Sequence, residues 1–377
     1  MKTSVNTIGW IDLLRVLACF LVVMAHACDP FVAQFNNNRF EFLSGVLWGS
    51  LLRPCVPLFV MMTGVLLLPL KMDMRSFYSK RLTRIIVPLI FWSLISPVLY
   101  YVYLNFGGET TSPNIVMSDH TLKSTLIKFV TFIFNFSYST IPLWYLYMLV
   151  GLYLIMPILN PWLLQAEKKD IRTFLFLWIV SMCLPYVQLA APLSGYTGNY
   201  GNMGLLGVCD WNPYGTFYYF SGFIGYLVLA FYLQRFPLQW GWAKRFSLAV
   251  PLFIIGYAIT ATGFLVTQKY YPANYAALEI FWYFSGINVF MMTFSVYLIL
   301  SNLKLKSCAF LQKMASLTFG IYLSHFFIVQ YGYDLIHSRI PLPAYIQIPC
   351  IALFAFFISA LIIWGMSKIS YLRKLVL

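Results

Sequence analysis

Long apolar runs separated by short polar, mostly basic segments recur along the whole 377-residue chain. A helix rises 1.5 Å per residue, so crossing a bilayer takes about 20 mostly apolar residues. Ten stretches meet that length: roughly 10–28, 43–68, 84–104, 141–164, 172–191, 214–234, 246–267, 278–301, 315–335 and 344–366. This pattern predicts an all-α polytopic membrane protein of about ten transmembrane helices, organised as a single domain over 1–377. No stretch reads as a separate soluble domain, and no short-period repeat is evident.

The positions of the cations test the count. If the N-terminus is cytoplasmic, one face collects Lys2; Lys71, Arg75, Lys80, Arg81 and Arg84; Lys168, Lys169 and Arg172; Arg235, Lys244 and Arg245; Lys304, Lys306 and Lys313; and Lys368, Arg373 and Lys374. The opposite face collects Arg39, Lys123, Lys128, Lys269 and Arg339, and only Arg15 and Arg53 fall within spans. Cytoplasmic loops are enriched in Lys and Arg. The asymmetry therefore predicts an even number of spans with both termini cytoplasmic. A missed or extra span would scramble it.

Composition agrees. Apolar residues make up 61 % and charged residues 10 %, against roughly 45–50 % and 25 % in soluble domains. That excludes an ordinary soluble enzyme, a disordered chain and a disulfide-stapled secreted domain. The formal charge of +14 lies in clusters between apolar runs and not in a basic stripe on a polar domain, so no nucleic-acid partner is expected. Seven cysteines occur singly without CxxC spacing, which indicates neither a metal site nor a disulfide scaffold. Free buried thiols are expected; a bridge, if any, would join Cys28 and Cys209 near the outer face. The start, MKTSVNTIGWIDLLR, lacks a small-residue cleavage site and carries Asp12 and Arg15, so it is not a cleavable signal peptide. Two outer loops are long. Residues 122–136 are amphipathic and suit a helix lying along the interface. Residues 192–213 are rich in Gly, Asn and Tyr, fitting either a compact connection or a lid over a sugar-binding pocket.

Ionisable side chains at bilayer depth are costly and are candidates for function. Asp12 and Arg15 stack one turn apart in the first span, and His26 lies eleven residues beyond Arg15, within about 20° of the same helix face and about 16 Å along the axis. Arg53 sits mid-span, followed by Pro54 and Pro57, which free backbone carbonyls. Its guanidinium either binds those carbonyls or faces a polar cavity as an anion or oxyanion donor. His325, with Tyr322 one turn before it, lies mid-depth in the ninth span. It is either a helix–helix hydrogen-bonding node or a substrate-orienting group. Asp334 lies farther out on that helix. Lys80, Arg81 and Arg84 crowd the cytoplasmic end of the third span. The cluster suits an anionic lipid headgroup or phosphates clamped by arginine, such as those of a coenzyme A nucleotide.

The ordered set of motifs resembles the integral-membrane acyltransferase family 3, multispan O-acyltransferases of surface sugars. Arg15 and His26 match the family's Arg-x10-His; Arg81 and Arg84 match its Arg-x-x-Arg. Val56-Pro57-Leu58-Phe59-Val60-Met61-Met62-Thr63-Gly64 matches V-P-L-F-x-x-x-S-G with Thr63 for Ser. Leu143-Trp144-Tyr145-Leu146 and the stretch from Gly320 to His325 complete the series. The matches run from residue 10 to 325. The layout is most similar to the branch that includes enterobacterial common antigen O-acetyltransferases. The chain ends eleven residues past the tenth span, so the soluble esterase-like domain of some relatives is not expected.

The resemblance implies an acyl-CoA donor, most often acetyl-CoA, no metal, and a lipid-linked or surface-polysaccharide sugar as acceptor in a bacterial inner membrane. Lys80, Arg81 and Arg84, helped by Arg15, are the expected phosphate ligands, with the pantetheine arm rising beside the first span. His26 is the expected general base, or the carrier of an acyl-histidine intermediate. Arg53, Tyr322 or His325 would stabilise the oxyanion, and Asp12 would orient Arg15. Partners are the glycan acceptor, membrane lipid and, optionally, further copies of the chain. The rival class is a transporter or flippase of polysaccharide precursors. Against it stand the missing inverted repeat, the missing paired broken helices and the basic cluster's place at one face.

Overall fold

The computed structural model describes residues 9–134, 137–195, 204–209, 212–272 and 274–376. Lys2 and residues 196–203, 210 and 211 of the expected lid segment 192–213 lie outside these. Helix accounts for 79 % of the chain and no strand occurs among the described residues. In chain order the α-helices are α1 Gly9–Val32, α2 Arg39–Leu51, α3 Cys55–Leu67, α4 Met74–Phe106, α5 Leu122–Val130, α6 Trp144–Gln165, α7 Lys168–Ser181, α8 Leu184–Ala190, α9 Ile224–Arg235, α10 Trp242–Tyr270, α11 Tyr275–Trp282, α12 Ile287–Leu300, α13 Ala309–His337, α14 Ala344–Met366 and α15 Ser370–Val376.

Among the described residues, eight helical stretches are long and apolar enough to cross a membrane: Gly9–Val32, Arg39–Leu67, Met74–Phe106, Tyr138–Gln165, Lys168–Ser194, Trp242–Tyr270, Ala277–Leu300 and Ala344–Met366. Two of the ten expected spans differ. The one at 315–335 is realised as the 29-residue α13, which buries Ser324, His325, Gln330 and Asp334 and so is less apolar. The one at 214–234 is a 3-10 turn, Gly215–Phe220, followed by the 12-residue α9.

Several expected continuous helices are broken, for local reasons. The second span divides at Leu52–Pro54, because Pro54 and Pro57 lack the N–H groups that would carry the ladder across. Placed at the start of α3, both fall where helical N–H groups have no partner anyway. The eighth divides at 283–286, between α11 and the Gly286-initiated α12. Polar residues set the starts. Asn38 accepts from the Glu41 amide at 3.2 Å, and Asp73 accepts from the Ser76 amide at 3.0 Å, each satisfying an orphan donor. The Ser76 hydrogen bonds hold the Asp73 carboxyl below its ordinary pKa.

The chain forms two compact units. One comprises 1–52, 72–154 and 304–377; the other comprises 53–71 and 155–303. In the first, α1 packs on α13: Cys19 Sγ donates to the Thr318 carbonyl at 3.4 Å. Gly320 is required where α13 meets α14 and α15, because a Cβ there would lie 2.5 Å from Ile363 Cγ2 and 2.7 Å from the Val376 carbonyl. On α13 the buried Asp334 accepts from Tyr103 at 3.0 Å, Thr110 at 2.7 Å and Gln330 at 3.0 Å, fastening α4 and the segment after it to this helix. That segment ends in His120, which is buried and stacked on Tyr100 with ring centroids 5.3 Å apart. The amphipathic stretch becomes α5, with Leu122, Leu126, Ile127 and Val130 exposed; residues 135–136 are outside the described set.

In the second unit α3 packs on α9. Gly64 permits the approach, since a Cβ would lie 2.9 Å from the Leu227 carbonyl, and the Thr63 hydroxyl turns back to the Phe59 carbonyl at 3.0 Å. Asn288 of α12 donates to Thr260 of α10 at 2.7 Å. All seven cysteines are free. The expectation that they are buried holds for Cys19, Cys28 and Cys55 but not for Cys183 and Cys308, which are exposed.

Candidate active site

His26 lies in the last two turns of α1, and Asp29 follows it by three residues, which places the two side chains one above the other on a helix. The His26 Nδ1 and Asp29 Oδ2 atoms are 2.8 Å apart. A carboxylate only accepts, so Nδ1 carries the proton and Nε2 is left as the basic nitrogen of the neutral ring. Asp29 was not among the residues singled out from the sequence, although the His-x-x-Asp spacing would have shown it. Pro30 lies inside the same helix and has no N–H to offer the carbonyl four residues back, that of His26.

Against this pair stands α13. The His26 and His325 ring centroids are 5.3 Å apart, and the Phe326 ring meets His26 edge-on at 5.1 Å. His325 is fully buried. Its Nδ1 lies 2.5 Å from the Tyr322 carbonyl, which again forces the proton onto Nδ1. Its Nε2 is an acceptor with no hydrogen-bond partner among the described residues. The Tyr322 hydroxyl donates to the Pro142 carbonyl, and its ring packs 5.4 Å from Tyr145. The matched Leu-Trp-Tyr-Leu and Gly-to-His segments thus meet each other here.

Within the same unit, Asp12 and Arg15 sit apart from this cluster. Asp12 and Arg15 occupy the opposite end of α1, about 16 Å away along the axis for Arg15. Arg15 Nη1 is 4.0 Å from Asp12 Oδ1, while Asp12 Oδ2 accepts from Ser307 at 2.6 Å. Asp12 therefore ties the start of α1 to the segment before α13 and holds Arg15 only at long range. Arg53 belongs to the other unit, where its guanidinium lies over Trp282, 4.2 Å from the ring centroid, with Phe284 at 5.5 Å. That is cation–π stacking, a partner not foreseen from the sequence.

Lys80, Arg81 and Arg84 share one face of α4 with Phe77, which is buried against Tyr153 at 5.7 Å. Lys80 and Arg84 are exposed and Arg81 is half-buried. Arg81 Nε is buried with no hydrogen-bond partner among the described residues. Among the described residues none of these three cations forms an ion pair with a carboxylate. Crowded cations with an unsatisfied guanidinium N–H suit a phosphate-bearing ligand.

The family model described as "Acyltransferase domain" matches residues 8–367. The chain belongs to that family, acyltransferase family 3, and is a multi-pass membrane acyltransferase. Comparison with curated proteins and with solved structures returned no match.

Proposed function

We propose that this acyltransferase moves an acyl group, acetyl in the first instance, from cytoplasmic acyl-CoA to a hydroxyl of a lipid-linked or surface-polysaccharide sugar in a bacterial inner membrane. The observation that carries the reading is the His26–Asp29 pair, which leaves His26 Nε2 free to act as a base. A sugar hydroxyl is a weak nucleophile at neutral pH and needs such a base.

In the proposed sequence, Lys80, Arg81 and Arg84 hold the CoA phosphates at the cytoplasmic end of α4, with Arg15 as a further cation. The acceptor oxygen attacks the thioester carbonyl while His26 Nε2 takes its proton, and the Asp29 carboxylate stabilises the imidazolium. The tetrahedral intermediate collapses with cleavage of the carbon–sulfur bond. The departing CoA thiolate recovers the proton from His26, leaving an ester and free CoA. His325 Nε2, an acceptor when Nδ1 donates to the Tyr322 carbonyl, can steady the incoming hydroxyl but cannot donate to an oxyanion while neutral. Within this unit the oxyanion donor is then the Tyr322 hydroxyl, released from Pro142.

The deciding experiment incubates the purified full-length protein with radiolabelled acetyl-CoA and a panel of lipid-linked sugars. Label transferred to a sugar, absent with His26→Ala, supports the reading. Transport of a lipid-linked sugar across vesicles without any acyl donor would replace it with the flippase class.

A further inference from the structure

Buried polar atoms almost always have hydrogen-bond partners, so a group of them without partners calls for an explanation. Such a group lies in the first unit towards the His337 end of α13. Ser112 Oγ, Gln330 Oε1 and the Tyr333 hydroxyl have no hydrogen-bond partner among the described residues, and all three side chains are buried. The Thr110 hydroxyl draws the first two together, accepting from Gln330 Nε2 at 3.0 Å and from the Ser112 amide at 3.1 Å. Gln34, Thr111 and the Glu41 carboxylate surround the Tyr333 hydroxyl, yet none bonds it with normal geometry, and Glu41 Oε2 is a fourth buried atom without a partner.

This cluster continues the face of α13 that meets His26. Phe326, Gln330 and Tyr333 recur at helical spacing over about 10 Å of rise. The Phe326 ring stands 5.1 Å from His26, and the Tyr333 ring stands 5.5 Å from Phe31, which follows His26 on α1. The unused capacity is mostly that of acceptors. Gln330 spends its amide hydrogens on Thr110 and Asp334 and keeps a carbonyl oxygen; a carboxylate only accepts; the two hydroxyls give or take. Grouped acceptors suit a ligand that carries several O–H groups. A cation suits them less, because Tyr103, Thr110 and Gln330 already occupy Asp334, and among the described residues no three His, Cys, Asp or Glu side chains gather to hold a metal.

We infer that Glu41, Ser112, Gln330 and Tyr333 form a saccharide subsite, which grips hydroxyls of the acceptor other than the one that reacts. The inference rests on the sugar-acceptor reading above and adds to it the residues that recognise the sugar.

Tyr333→Phe and Ser112→Ala each delete one unpartnered hydroxyl and little else. An unsatisfied buried group burdens the empty protein, so both variants should unfold in detergent at the wild-type temperature or above it. The binding readout is transfer from radiolabelled acetyl-CoA, by detergent-purified full-length protein, to whichever lipid-linked sugar of the panel takes most label. Each variant should raise KM for that sugar at least ten-fold and keep KM for acetyl-CoA within two-fold of wild type. Either variant decides the matter alone if the other does not fold. An unchanged sugar KM in a folded variant, an equal rise in KM for acetyl-CoA, or a lowered unfolding temperature in both overturns the subsite, and the hydroxyls then serve buried water or the fold. Those results leave the sugar-acceptor reading intact. A wild-type protein that labels no sugar overturns that reading and the subsite with it.

Discussion

His26 Nδ1 lies 2.8 Å from Asp29 Oδ2, one helical turn farther along α1. That contact fixes the tautomer of the ring and stabilises the cation it becomes on taking a proton. Asp29→Asn should therefore lower kcat by about 10²–10⁴-fold, the usual worth of a positioned proton transfer, and leave acetyl-CoA affinity within about two-fold. His26→Ala should abolish transfer while retaining donor binding. An Asp29→Asn enzyme with wild-type kcat would show that the pair only caps the end of α1.

The arginines of α4 offer a binding prediction. A hydrogen bond to a charged group contributes about 1.5–3 kcal/mol. Arg81→Ala combined with Arg84→Ala should thus weaken CoA binding by at least 10²-fold, measured by calorimetry on purified protein. Arg81→Lys should recover only part of the loss, since an ammonium cannot make the forked contact. A Kd unchanged by the double substitution would assign the cluster to membrane topology alone.

His120 predicts an acid sensitivity outside the active site. Burial, reinforced by Lys128, lowers its pKa to about 4, below its usual value near 6.5. The unfolded chain then binds a proton that the folded chain refuses, so stability is intact above pH 6.5 and is lost as pH falls towards 4. The loss is on the order of 2–3 kcal/mol. Thermal unfolding in detergent should show this decline in wild type, and His120→Phe, which keeps the stack on Tyr100, should flatten it. Parallel curves for the two proteins would remove His120 as the cause.

Gly320 predicts a packing penalty. An alanine methyl there would meet Ile363 and the Val376 carbonyl at 2.5 and 2.7 Å, and overpacking of this kind costs about 1–3 kcal/mol. Gly320→Ala should lower the unfolding temperature. Gly365→Ala, whose new methyl meets nothing within 4 Å, should not. Equal behaviour of the two variants would mean that the α13–α14–α15 contact is soft.

The broad architecture was legible because lipid imposes length and apolarity on every span, and cation placement adds a second signal. The interruptions were less so. Pro54 and Pro57 announced a weakened helix but not that α2 and α3 would separate, and nothing periodic marks the break at 283–286. The 315–335 stretch reads as an apolar span like the others, yet one helix gathers His325, Gln330 and Asp334 inside the protein, which only packing reveals. At the site, His26, His325 and Tyr322 were readable as polar groups at depth. Their convergence was not, because α1 and α13 are separated by most of the chain. Asp29 was missed because it sits near the span's end, where a carboxylate needs no special explanation. Arg53 stacks on Trp282, a partner more than two hundred residues away that local sequence does not indicate.

Asp334 has a consequence for motion. Tyr103 and Thr110 reach its carboxylate from outside α13, and Gln330 from within. Lifting the segment that follows α4 away from the bundle would strand a negative charge in a dry environment, so the segment does not peel back by itself. Deuterium uptake at 107–121 and along the last turns of α13 should accordingly rise in step, as one cooperative opening, and Asp334→Asn should uncouple the two.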